Sequence, residues 1–262
     1  MRKILFTLSF LAILSIQPLS VLGQKQKVIL DCDLGSDIDD AYAMALLIAS
    51  PELDILGIIL DFDNTPKRAQ VACRMLYEAG RENIPVIAGR KTGETYSRQF
   101  CWAEGFDKIQ PVKEKASDFI IGQLKRFPGE IILLRVGPVA NIADVLDKDP
   151  DALKLAKHVY SMFGSFYTGY NRSPIPSPEW NVRADISSAK KLVSSGARIT
   201  YAGLDITGHV ALNYDLIEVL NNRKTPLTDA LVGLTSLWGL GVEPKPAPKL
   251  FDPEMVAMVI WP

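Results

Sequence analysis

The stretch that most constrains this chain runs from residue 28 to residue 41. Val28, Ile29 and Leu30 form an apolar run that empties into five aspartates, Asp31, Asp33, Asp37, Asp39 and Asp40. Directly after them, Ala41, Met44, Ala45, Leu47 and Ile48 recur at helical spacing. A buried strand, an acidic turn and a helix in that order place the aspartates at the carboxyl end of a strand in an α/β sheet, where open α/β sheets take their ligands. The helix N-terminus offsets one or two of the charges, since Asp39 and Asp40 fall on its first turn. The other carboxylates repel one another and raise each other's pKa unless a positive charge sits among them. A hard divalent cation with oxygen ligands meets that need. The plainer alternative is a solvated acidic turn with a helix cap.

The pattern beyond the turn supports the same class. Strand patterns at residues 54–60, 84–88, 130–136, 158–164 and 198–205 alternate with helical patterns beginning near Pro66, at Ser117 as a cap, at residues 142–146 and at residues 187–195. Alternation of this kind means an open, mostly parallel sheet with helices on both faces, an α/β fold of Rossmann type. The stretch 89–113 has little periodicity, and a loop of that length often lies over a site. With 262 residues, 48% of them hydrophobic, and a net charge of -1, the chain suits one large domain. It has no basic excess to track a phosphate backbone, which argues against nucleic-acid binding.

The first 23 residues read differently. Arg2 and Lys3 precede an apolar stretch, Pro18 breaks it, and small or aliphatic residues reach Gly23. That is the layout of a secretory signal peptide, so residues 24–262 are expected as an exported domain, periplasmic or secreted, with no stable membrane insertion. Cys32, Cys73 and Cys101 follow no metal-ligand spacing, and the first two fall in regular elements as buried apolar residues. At the other end, residues 255–260 begin a helical pattern that barely repeats before Trp261-Pro262, so a further C-terminal piece is expected.

Asp61-Phe62-Asp63-Asn64-Thr65 follows an apolar run and resembles the nucleophile loop of the haloacid-dehalogenase-like phosphatases, in which Asp61 would attack phosphorus in a magnesium-dependent reaction. No convincing downstream acidic pair accompanies it. That assignment also leaves the stronger cluster at 31–40 without a role.

A second resemblance spans essentially residues 27–260. Asp31-Cys32-Asp33 followed by Asp39-Asp40-Ala41, then Asn64, Val136-Gly137-Pro138-Val139-Ala140-Asn141, Met162-Phe163-Gly164, Glu179-Trp180-Asn181, Leu204-Asp205-Ile206-Thr207 and Phe251-Asp252-Pro253 occur in order. Together they resemble the motifs of the inosine-uridine-preferring nucleoside hydrolases. The resemblance implies hydrolysis of the N-glycosidic bond of a ribonucleoside or related riboside to ribose and free base. It also implies a calcium ion held by Asp33, Asp40, Asp252 and the carbonyl of Val136, with Asp33 taking the proton of the attacking water. Asp39, Asn64, Asn171, Glu179 and Asn181 would hold the ribose hydroxyls, Met162 would pack on the sugar, and the family tends to form dimers or tetramers. Asn141 and Thr207 read as caps, and Asp205 as either a site residue or a turn.

The chain departs from the family pattern where the base should leave. Phe251 stands where the inosine-uridine class carries a histidine thought to protonate the departing base, Phe163 replaces a glycine, and two extra residues lie between Gly35 and Asp39. Trp180, Trp238, Tyr167 or Tyr170 could stack on the base in the histidine's stead. A ribose or nucleoside binder without catalysis is the expectation from another functional class.

Overall fold

The structure is a computed structural model that describes residues 25–242 and 247–261. The expected signal segment, residues 1–23, lies outside the described residues. In chain order the elements are β1 (Gln26–Cys32), α1 (Asp39–Ala49), β2 (Leu53–Leu60), α2 (Thr65–Glu78), β3 (Val86–Ala88), α3 (Phe100–Ala103), α4 (Ala116–Arg126), β4 (Ile131–Arg135) and α5 (Ala140–Lys148). They continue with β5 (His158–Met162), α6 (Trp180–Ala184), α7 (Ile186–Val193), β6 (Ile199–Ala202), α8 (Leu204–Thr207), α9 (Tyr214–Arg223), α10 (Pro226–Trp238) and α11 (Pro253–Ile260).

The six strands are ordered β3-β2-β1-β4-β5-β6, and every neighbouring pair is parallel. From β1 the chain builds outward to one edge, and from β4 outward to the other. The switch point therefore falls between the carboxyl ends of β1 and β4, which is where the crevice of a doubly wound sheet opens. Side chains alternate across the sheet with period two. Val28, Leu30 and Cys32 of β1 enter a core with α1, α2, α10 and α11, whereas Ile29 enters a second core with α4, α5 and α7. Ile132 and Leu134 of β4 join the first core, and Ile131 and Leu133 the second. Helices on both faces and a parallel sheet match the expectation from alternation. Cys32 and Cys73 are buried and unbridged, while Cys101 is exposed.

Several local expectations are corrected. Ser117 lies inside α4, whose N-cap is Lys115, with no side-chain cap. The strand expected at 198–205 stops at Ala202, and Asp205 sits in the short helix α8. Its carboxylate accepts from the backbone N–H groups of Phe166, Tyr167 and Thr168, pinning the loop after β5. Thr207 donates to the Gly203 carbonyl within the same helix and caps nothing. The stretch 89–113 contains α3, and α9 and α10 form where no regular element was expected. Among the described residues no helix is long and apolar enough to cross a membrane.

Asn141 is a tie-point, not a cap. It is fully buried; its Nδ2 donates to Asp31 Oδ1 at 2.8 Å and to the Leu60 carbonyl at 3.1 Å, and its Oδ1 accepts from Arg90 N at 2.8 Å. One amide thus fastens β1, β2 and the segment after β3 to α5. Asn141→Ala strands those groups in the interior, so urea unfolding is expected to show a loss of about 2–4 kcal/mol, from unsatisfied buried partners at about 1–3 kcal/mol each.

Candidate active site

At the end of β1 the chain turns through Asp33-Leu34-Gly35-Ser36-Asp37 before α1 begins, and two side chains from elsewhere hold that turn. Arg68 of α2, almost fully buried, donates to the carbonyls of Asp33 and Leu34 (2.9 Å for the latter), to Ser36 Oγ at 2.7 Å and to the Phe62 carbonyl at 2.7 Å. Gln99, fully buried, donates to the carbonyls of Asp37 at 2.9 Å and Ser36 at 3.3 Å. Across the switch point, Gly137 follows β4 at such close range that a Cβ there would stand 2.8 Å from Asp33 N and 3.0 Å from Asp33 Oδ1. No side chain fits at that approach.

The turn, the end of β4, the end of β5, α6 and the start of α11 surround one cavity of about 200 Å³. Asp33, Asp39, Asp40, Val136, Met162, Glu179, Asn181 and Asp252 line it, together with Ser36, Asp37, Tyr170, Trp180 and Phe251. Carboxylate oxygens of Asp39, Asp40 and Asp252 lie within 4.8 Å of one another, all three buried. None of the three takes part in an ion pair among the described residues. Burial first, and then the neighbouring carboxylates, push all three well above the ordinary carboxylate range. Asp33, whose N–H donates to Asp40 Oδ1 at 3.1 Å, is raised by burial against the opposing pull of Arg68. It stands beside the trio and not within it. Buried, mutually repelling oxygen donors with no ion-pair partner among the described residues fit a hard divalent cation, which prefers such ligands.

The side of the cavity opposite the trio is built from α6. Glu179 caps this helix, accepting from the N–H groups of Asn181 at 2.8 Å and Val182 at 3.3 Å, and it also accepts from Gly164 N at 2.9 Å. Asn181 Nδ2 donates to the carbonyls of Val136 at 2.7 Å and Met162 at 3.1 Å, which leaves its Oδ1 buried with no partner. An orphaned acceptor beside a cavity is matched by a donor such as a hydroxyl. Tyr170 Oη accepts from Trp180 N at 2.9 Å, and its ring meets Phe251 edge-on at 6.4 Å.

Two expected ribose contacts stand apart from this lining. Asn64 caps α2, its Oδ1 accepting from Lys67 N at 3.3 Å and its Nδ2 donating to the Glu94 carbonyl at 3.3 Å. Asn171 sits exposed in a tight turn at φ 57°. Of the aromatics named for stacking, Tyr170 and Trp180 border the cavity, whereas Tyr167 and Trp238 do not. Neither histidine borders it; His158 pairs with Thr200 Oγ1 at 2.7 Å at the opposite end of β5. Asp61 is fully buried with its oxygens accepting from Phe62 N at 2.6 Å and Asn141 N at 3.3 Å, a place for a structural carboxylate and not for a nucleophile.

Sequence reasoning passed over Arg68, Gln99 and Arg135. Arg135 ends a strand that otherwise reads as apolar, and it is fully buried under the cavity floor. It donates to Ser161 Oγ at 2.8 Å, to the Met162 carbonyl at 2.7 Å and to the Gly137 carbonyl. A lone arginine in a buried run was the available signal, since such a charge persists only with partners.

A doubly wound parallel sheet that gathers buried carboxylates and an orphaned amide oxygen around one cavity at its switch point defines an α/β protein of the doubly wound class with an acidic crevice. Residues 28–262 match the family described as inosine-uridine preferring nucleoside hydrolase, and the chain belongs to that family. It is similar to probable uridine nucleosidase 2 of Arabidopsis thaliana, 30% identical over 232 residues that cover 83% of this chain and 71% of the relative. It is also similar to the pyrimidine-specific ribonucleoside hydrolase RihB of Escherichia coli, 32% identical over 221 residues, 78% of this chain and 67% of the relative. Among solved structures it superposes on a plant nucleoside hydrolase, the PpNRh1 enzyme, with a TM-score of 0.79 at 27% identity over 90% of this chain and 79% of that one. Membership makes the chain a glycosyl hydrolase of the nucleoside hydrolase class.

Proposed function

We propose that this chain hydrolyses the N-glycosidic bond of ribosides in a calcium-dependent reaction in which Asp33 takes the proton of the attacking water. The observation that carries this reading is the convergence, in one cavity, of Asp33, the Asp39–Asp40–Asp252 trio and the Glu179–Asn181 pair. The ion would be held by Asp33, Asp40, Asp252 and the Val136 carbonyl, with Asp39 adjoining. When bound, calcium supplies the charge that lowers the pKa of a coordinated water.

The chain's own residues supply the rest. Asp33 Oδ accepts the proton of the water that approaches C1′. Asp39, Glu179 and Asn181 accept hydrogen bonds from ribose hydroxyls, and these bonds strengthen as positive charge spreads through the ring. Met162 lies against the sugar face and keeps bulk water away. Export after removal of residues 1–23 and assembly as a dimer or tetramer belong to the same proposal; light scattering on the purified protein checks the latter.

The test is ribose release from purine and pyrimidine nucleosides with and without a chelator. Release abolished by the chelator and restored by calcium supports the proposal. Nucleoside bound in the presence of calcium without turnover would point to the binder instead.

A stability readout accompanies it. The folded-state pKa values of Asp39, Asp40 and Asp252 lie above their ordinary value of 3.8. The metal-free fold therefore retains protons that the unfolded chain has lost, and their contribution to stability declines as pH rises from about 4 through the folded values. Calcium replaces those protons. Its addition is thus expected to raise the melting temperature more at about pH 8 than at about pH 5, with up to about 2.7 kcal/mol gained at a hundredfold excess over Kd. Equal shifts at both pH values would contradict ligation by these carboxylates.

A further inference from the structure

Among the described residues six carboxylates line the cavity, those of Asp33, Asp37, Asp39, Asp40, Glu179 and Asp252, and no lysine, arginine or histidine does. A divalent cation at the buried trio balances only part of that charge. Asp37 belongs to the two-residue extension of the acidic turn and is the exposed one among the aspartates there, so it stands at the mouth. Its backbone carbonyl is fixed by Gln99 Nε2 at 2.9 Å, its Oδ1 accepts from Ile38 N at 2.7 Å, and its carboxylate also accepts from the Trp238 side chain. Tyr170, 37% exposed, and Trp180, 38% exposed, border the same mouth. The Arg183 guanidinium covers one face of the Trp180 ring at 5.2 Å, and Phe251 meets Tyr170 edge-on at 6.4 Å, so among the described residues Tyr170 and Phe251 are the rings of this mouth without a cation on them. The outer half of the cavity is thus an aromatic rim with a carboxylate on it, above an inner half that holds hydroxyls.

Resting on the hydrolase reading above, we infer that the preferred substrates are ribosides whose leaving group is a positively charged heteroaromatic ring, with Asp37 as the specificity-determining carboxylate. Two features lead there. Aromatic faces and a carboxylate attract a flat cation by about 0.5–2 kcal/mol per aromatic contact. A neutral base leaves as an anion unless it is protonated, yet Phe251 has no proton to give, no histidine borders the cavity, and burial lifts the Tyr170 hydroxyl there to about 12, which makes it a poor acid. A cationic ring needs no such help. Water oxygen bonds to C1′, the C1′–N bond breaks with its electron pair going to the ring nitrogen, and the ring departs neutral. The proton of the water passes through Asp33 to solvent, so riboside cation and water give ribose, neutral heterocycle and one proton.

Steady-state ribose release from nicotinamide riboside and N7-methylguanosine is to be compared with release from uridine and inosine, in wild type, Asp37→Asn and Phe251→His, with nonenzymatic loss subtracted. The cationic ribosides are expected to exceed the neutral ones in kcat/KM by about 100-fold or more, the scale of a missing general acid. Asp37→Asn is expected to shrink that ratio by about tenfold, and Phe251→His to narrow it by raising the neutral rates. Neutral nucleosides cleaved as fast as the cationic ones would overturn the inference and leave the hydrolase standing. A ratio unchanged in Asp37→Asn would remove Asp37 from the role. No ribose from any of the four would bring down the hydrolase and the inference together.

Discussion

Asp33→Asn is expected to lose ribose release by about 10²–10⁴-fold, the range a general base contributes, while the protein remains folded. The side chain is buried at the cavity floor, its backbone fastened by Arg68 and by Asp40 Oδ1, so an isosteric amide keeps the turn in place. What it removes is a proton acceptor and one negative charge. Loss of that charge relieves repulsion within a buried acidic cluster, so metal-free Asp33→Asn is expected to melt at or above the wild-type temperature. The calcium-induced rise in melting temperature is expected to shrink at the same time. Paired measurement of ribose release and melting, each with and without calcium, separates these effects. An inactive variant that also melts lower would mean that Asp33 acts through structure and not as a base.

Arg135→Met is expected to have the largest effect on stability, about 3–5 kcal/mol by urea unfolding, because it removes the donor from three buried acceptors at about 1–3 kcal/mol each. Three of its donors serve Ser161 Oγ and the carbonyls of Met162 and Gly137, and its guanidinium packs over the Phe163 ring at 5.2 Å. It also pulls down the pKa of Asp31, which burial nonetheless lifts to about 7. Methionine fills the space and satisfies none of these groups. Arg135→Lys restores charge but not the planar fork that reaches three acceptors, so only partial recovery is expected. Recovery to wild-type stability in the lysine variant would show that charge alone is what the site requires.

These two residues mark the limits of what the primary structure made legible. Asp33 was visible because strand, turn and helix are neighbours in the chain, and because five aspartates after an apolar run have few physical explanations. The parallel sheet was legible for the same reason: β1, β2 and β4 are apolar runs bounded by turn residues, separated by helical periodicity. The short motifs at 136–141 and 179–181 were legible through their order along the chain, as in the family they resemble; the cap that Glu179 makes on α6 is local, whereas the approach of Gly137 to Asp33 is tertiary.

Arg135 showed only as a lone charge ending an apolar run, and Gln99 and Arg68 gave no signal, because each acts across the fold on a backbone carbonyl, and any chain position offers one of those. Helices α9 and α10 passed unnoticed for a related reason. No residue of α9 is buried, so its apolar pattern has no strong face, and α10 is set by packing on α1 and α2.

By itself the sequence determined the α/β class, the switch-point turn and the acidic character of the site, since periodicity and charge density are properties of neighbours along the chain. The resemblance had put Asp252 with Asp40; only the tertiary structure decided that Asp39 joins them within 4.8 Å, and that Asp37, Tyr170, Trp180 and Phe251 share one mouth. It also decided that Asn64 caps a helix, its side chain serving Lys67 N and Glu94. Those assignments turn on distance and burial, which set the strength of every interaction between charges and which chain order does not carry.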